Sequence, residues 1–151
     1  MNDDLSDLYQ EIILSHNKRP RNEGELDPCD GKAEGFNPLC GDKISVFVKK
    51  GAGDVLEAVT FLGEGCAISR ASASIMTSQL TSLSIEEVNR RIEEITIMLT
   101  QVEEPDMDLA KVGDFAALAG VRKFPSRIKC ATLAWHTLRS ALQGGGSATT
   151  E

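Results

Sequence analysis

Apolar positions near the start of the chain recur at helical spacing. Leu5, Leu8, Tyr9, Ile12 and Ile13 fall on one side of a helix, Asp3 or Asp4 suits its start, and Pro20 stops it. Residues 19–42 then lose periodicity among Gly24, Pro28, Gly31, Gly35 and Pro38, with room for a short strand at 32–36. Ile44, Val46 and Val48 alternate with Lys43, Ser45 and Lys49, the pattern of a strand with one wet face. Gly51-Ala52-Gly53-Asp54 turns the chain into an antiparallel partner over 55–62, which Gly63-Glu64-Gly65 ends.

The second half of the pattern is helical. Cys66 opens a helix of small residues, Ala67, Ser69, Ala71, Ser72, Ala73 and Ser74, with an apolar stripe of Ile68, Ala71, Ile75 and Met76. Small side chains allow close packing on a neighbouring element. Ser84-Ile85-Glu86-Glu87 reads as a capping box, and the helix behind it carries Val88, Ile92, Ile95 and Leu99. An acidic loop, 103–108, surrounds Pro105. A short helix over 109–119 ends at Gly120, and Pro125 suits the first turn of a last helix over 126–142. Residues 144–151 read as a flexible tail. The expected fold is α+β: one domain over 1–143, with a small antiparallel sheet of about three strands covered by helices.

Composition narrows the function. At 151 residues the chain has room for one moderate core, and 41% apolar residues suffice for it. A net charge of -7 argues against nucleic acid as a partner. No apolar run is long enough to span a membrane, and the acidic start, Met1-Asn2-Asp3-Asp4, does not read as a secretory signal. The expected location is cytoplasmic, where thiols stay reduced, so four cysteines favour metal or redox chemistry over disulfides.

Three cysteines have local contexts that suit ligation. Cys40 and Asp42 lie two apart just before a strand, where alternate side chains share a face, and Gly41 between them permits a tight turn. Cys66 follows Gly65 at a helix N-terminus, where the dipole favours a thiolate. Cys130 lies a turn inside the last helix, with Arg127 and Lys129 nearby. Three thiolates and a carboxylate can make one tetrahedral zinc site, of net charge about -2, that nearby cations would stabilise. A lone cysteine is usually a small buried apolar residue, and no close CxxC pair anchors the set, so spacing alone leaves both readings open.

Four stretches carry a resemblance. They are Leu8-Tyr9-Gln10-Glu11-Ile12-Ile13-Leu14-Ser15-His16 with Pro20-Arg21-Asn22; Asn37-Pro38-Leu39-Cys40-Gly41-Asp42; Gly65-Cys66-Ala67-Ile68-Ser69 with Ala71-Ser72-Ala73-Ser74; and Phe124 through Trp135, which includes Pro125-Ser126-Arg127-Ile128-Lys129-Cys130. In these the chain resembles the IscU/NifU-type iron–sulfur assembly proteins, most closely the SufU branch. Scaffold members of that family carry His immediately before the last cysteine, where this chain has Lys129. A longer segment before that cysteine, including 109–124, is a further mark of SufU-like proteins.

The resemblance implies the SufE/NifU fold and a zinc ion held by Cys40, Asp42, Cys66 and Cys130. It implies a zinc-dependent sulfurtransferase that takes persulfide sulfur onto Cys40 from a SufS-type, pyridoxal-phosphate cysteine desulfurase, and passes it toward Suf-type scaffold proteins. Cys40 is expected to leave the metal when the partner docks, Asp42 to stay, and Arg127 to pair with Asp42 or steady the departing thiolate. The alternative is a scaffold for a [2Fe–2S] cluster or iron, and a third reading is a purely structural zinc protein. Cys29 has no motif match and reads as a loop thiol. His16, on the apolar side of the first helix, reads as packed or partner-facing. His136 points away around its helix, and Trp135 reads as core.

Overall fold

The computed structural model describes residues 3–38, 41–100, 115–143 and 146–149. Cys40, the acidic loop 103–108 and the first part of the expected 109–119 helix lie outside the described residues. The chain runs α1 (Asp3–Lys18), β1 (Gly31–Asn37), β2 (Asp42–Gly51), β3 (Val55–Glu64), α2 (Ala67–Leu80), α3 (Ile85–Thr100), α4 (Phe115–Leu118), α5 (Pro125–Leu142) and β4 (Gly146–Thr149).

The alternation of β2 sorts its side chains as expected. Asp42, Ile44, Val46 and Val48 are buried on one face, and Lys43 and Lys49 are exposed on the other. β2 pairs antiparallel with both β1 and β3, and a bulge interrupts the β2–β3 ladder between Lys49 and Lys50. The sheet order is β3-β2-β1-β4.

The fourth strand differs from the expected tail. Residues 146–149 pair parallel with β1, from Ala33↔Gly146 to Phe36↔Thr149. Gly-Ser-Ala-Thr has no apolar alternation to announce a strand. It occupies the otherwise open edge of β1, whose unpaired backbone groups need partners.

Helices α2 and α5 cover the buried face of the sheet, with α1 against α2 and α3 against α5. The small residues of α2 allow this. Ser69 and Ala71 through Thr77 are all buried, so the helix is covered on more than the single stripe that spacing suggested. Ser72 Oγ donates to Ala131 O at 2.5 Å and accepts from Trp135 Nε1 at 2.9 Å, which ties α2 to α5 through the core. Trp135 is fully buried, as its reading as core required.

Other signals in the sequence also took form. Ser84 Oγ accepts from Glu87 N at 3.1 Å, one half of the capping box. α1 ends before Pro20, with Ile12 and Ile13 packed on the core. α4 does not stop at Gly120; a 3-10 turn carries the chain on through Ala119–Lys123. The stop comes at Phe124, which precedes Pro125 and so is driven out of helical backbone, at φ -125° and ψ 84°.

Candidate metal centre

Asp42 opens β2, opposite Asn37 at the end of β1. The connection between them is closed by Gly41 N donating to Asn37 O at 2.9 Å, and Gly41 has φ +72°, a conformation that favours glycine. The tight turn expected at Gly41 is therefore present. Asp42 is buried with a divided carboxylate. Oδ1 accepts from the backbone N–H of Cys66 at 2.9 Å, while Oδ2 lies 3.8 Å from Cys66 Sγ.

That arrangement depends on Gly65. Its φ is +152°, and a Cβ built there would overlap Asp42 Oδ1. The missing side chain makes a cradle in which the carboxylate rests on the start of α2. Cys66 is the N-cap residue of α2, at φ -74° and ψ 166°, and its Sγ accepts from Ser69 N at 3.4 Å. A thiol thus takes the place usually filled by a hydroxyl or carboxylate, at the helix end where anionic character is favoured.

Cys130 comes from the far end of the chain. It is fully buried in the second turn of α5 and reaches the others because α5 lies very close to β1. A Cβ at Gly31 would overlap Ala141 O, and one at Gly35 would overlap Thr137 Oγ1. Glycine where another backbone approaches this closely is the expected device. One step further along β1, Asn37 Nδ2 lies 3.5 Å from Cys130 Sγ.

The ligand-capable atoms of Asp42, Cys66 and Cys130 all lie within 4.8 Å of one another. Two ligands on one tetrahedral zinc, a sulfur and an oxygen, sit about 3.5 Å apart, and two sulfurs about 3.8 Å apart. The 3.8 Å between Cys66 Sγ and Asp42 Oδ2 is close to that edge. The donor set is likewise what zinc or iron takes from thiolates and carboxylates. The residues present therefore fit a bound metal, with a fourth position to be filled.

Of the residues expected at the site, the structure brings together Asp42, Cys66 and Cys130. Arg127 is exposed in the first turn of α5, three residues before Cys130. Lys129 is half-buried. Cys29 is half-buried before β1 and is not in the group, and no described cysteine is in a disulfide. His16 is buried with Nδ1 2.7 Å from Ser74 Oγ, a packed residue as expected. Burial, helped by Arg139, pushes His136 below its ordinary value of 6.5. Two contributions were not anticipated from the sequence: the cradle that Gly65 makes for Asp42, and the contact of Asn37 with Cys130. The signal for Asn37 was a polar side chain at a strand position whose neighbours Ala33 and Gly35 face inward.

The family model described as "NifU-like N terminal domain" matches residues 8–131. The chain is 43% identical over 148 residues to the zinc-dependent sulfurtransferase SufU of Bacillus subtilis, covering 97% of this chain and 98% of that one. It is 40% identical over 144 residues to the iron–sulfur cluster assembly scaffold protein IscU of Streptococcus pyogenes, covering 95% and 88%. A crystal structure of a protein described as hypothetical superposes with a TM-score of 0.80 at 40% identity, over 91% of this chain and 98% of that one.

Proposed function

The chain belongs to the family of NifU-like N-terminal domains, the iron–sulfur cluster assembly proteins that include SufU and IscU, and from that premise we propose that it is a zinc-dependent sulfur acceptor serving a cysteine desulfurase. The observation that carries the reading is the convergence of Asp42, Cys66 and Cys130, with Cys40 two residues before Asp42 in sequence. Cys40, Asp42, Cys66 and Cys130 would together hold the metal. Zinc supplies charge that keeps bound thiols deprotonated at neutral pH.

The transfer itself is thiol–persulfide exchange. The Cys40 thiolate attacks the terminal sulfur of a persulfide on the desulfurase. A new S–S bond forms at Cys40, the old S–S bond breaks, and the partner's cysteine leaves as thiolate. Arg127, exposed in the first turn of α5, would offset the charge that shifts between these sulfurs. The same exchange delivers the sulfur onward to a scaffold protein. The setting is cytoplasmic, because the chemistry needs reduced thiols.

A scaffold for a [2Fe–2S] cluster uses the same kinds of ligand. Lys129 favours transfer, because the position before Cys130 carries a lysine where scaffold members of the family carry His. The curated SufU relative, aligned almost end to end, also leans that way.

Metal analysis with an absorption spectrum of the purified protein separates the two. About one zinc per chain and no visible colour is expected; iron with labile sulfide would select the scaffold instead. Incubation with a desulfurase and cysteine should then give a persulfide on Cys40. A Cys40→Ala chain that still accepts sulfur would end the transfer reading.

A further inference from the structure

Building on the zinc reading, we propose that Asn37 is a positioning residue that makes Cys130 a fixed ligand by donating its side-chain N–H to the sulfur. Asn37 Nδ2 and Cys130 Sγ are 3.5 Å apart, both residues are buried, and 93 positions separate them in sequence. An amide buried on the core face of a strand is costly unless it is hydrogen-bonded. A thiolate only accepts, so a metal-bound Cys130 takes the NH2 end of the amide and not its oxygen.

The bond has a chemical consequence. An N–H pointed at a thiolate draws off part of its charge. The sulfur becomes less basic and less nucleophilic, and a proton or an electrophile competes less well with the metal for it. Cys66 has a counterpart in the backbone N–H of Ser69, at 3.4 Å. Both thiols of the converged group therefore carry a donor.

Asn37 reaches Cys130 because of what lies along β1. Gly31 and Gly35 let α5 settle against the strand, and Asn37 is the next inward-facing residue after Gly35. Its backbone oxygen also closes the turn to Gly41. One residue thus ends the strand and meets the helix that brings Cys130, while Cys40 lies in the connection it closes.

The test compares the wild type with Asn37→Leu, which keeps the branched shape and fills the space but removes the donor, and Asn37→Ala, which removes both. Each is stripped of metal, checked for folding by urea denaturation, and loaded with zinc or cobalt(II). Loss of the bond should weaken zinc retention against a chelator about tenfold in both variants, the lower end for outer partners of metal ligands. The thiolate-to-cobalt charge-transfer band should move to lower energy.

A residue that merely fills space predicts another order, with Asn37→Leu like the wild type and only Asn37→Ala impaired. That order, or unchanged zinc retention in both variants, overturns the proposal. A wild-type chain that takes up neither zinc nor cobalt defeats the zinc reading itself, which is a separate result.

Discussion

Gly65→Ala is the sharpest perturbation of the site, because a single methyl group meets two constraints at once. The first is conformational. Gly65 has φ +152°, where an L side chain is strained, at a cost of about 1–3 kcal/mol. The second is steric. The new Cβ would overlap Asp42 Oδ1, which accepts from Cys66 N at 2.9 Å. Moving the carboxylate breaks that charged hydrogen bond, which contributes about 1.5–3 kcal/mol. The two effects share a backbone segment and will not add fully, so the metal-free protein should lose about 2–5 kcal/mol. Against a domain stability of about 5–15 kcal/mol, the variant folds but its midpoint drops markedly. Urea denaturation after metal stripping reads this loss without the contribution of bound zinc. Chelator competition then reads the site, where Asp42 should no longer be held beside Cys66. A variant within about 1 kcal/mol of wild type, with zinc retention unchanged, would show that neither the backbone conformation nor the carboxylate cradle has the role assigned to it.

Other substitutions separate stability from metal binding. Cys66→Ser keeps an oxygen at the N-cap of α2 to accept from Ser69, so the metal-free protein should stay within about 1 kcal/mol of wild type, while zinc retention falls on the order of a hundredfold or more; equal losses in both measurements would contradict the split. Ser72→Ala leaves Trp135 Nε1 without its buried acceptor, and should cost about 1–3 kcal/mol in urea denaturation with little change in zinc retention by the folded protein. His136 resists protonation when folded, whereas the unfolded chain takes the proton near the ordinary value of 6.5. Its effect on stability is therefore absent well above that pH, sets in as pH falls through it, and is complete below the lowered folded value. A neutral His136→Gln chain should lose less stability than wild type between about pH 7.5 and 5.5; matching urea midpoints across that range would remove the assignment.

The readability of this chain follows the range of each interaction. The β2–β3 hairpin, the cap at Ser84 and the stop before Pro20 rest on neighbours within a few residues, and all three were legible. β4 was not, because its pairing depends on an open edge more than a hundred residues earlier and not on its own Gly-Ser-Ala-Thr. The site shows the same limit. Asp42, Cys66 and Cys130 are recognisable one by one from a turn, a helix start and a helix interior. Their convergence is not, since no short spacing links them. What joins them is the approach of α5 to β1 at Gly31 and Gly35, glycines that read in the sequence only as loop punctuation.

That origin also bears on which sulfur can move. Asp42 is clamped between β2 and the N–H of Cys66, Cys66 caps α2, and Cys130 is fully buried in α5 against Asn37. Releasing any of them means opening a helix cap or unpacking α5 from the sheet, with the loss of buried hydrogen bonds that a docking partner would have to supply. These three groups are also drawn from distant parts of the chain, so a metal that binds them closes long loops and its binding energy becomes folding energy. A centre that exchanges sulfur and keeps its fold therefore needs its labile ligand outside this set. Cys40, next to Gly41 in the β1–β2 connection, meets that requirement by position in the chain. On the proposed ligand set, Asp42, Cys66 and Cys130 are the ligands that the fold holds in place, and Cys40 is the one that would move.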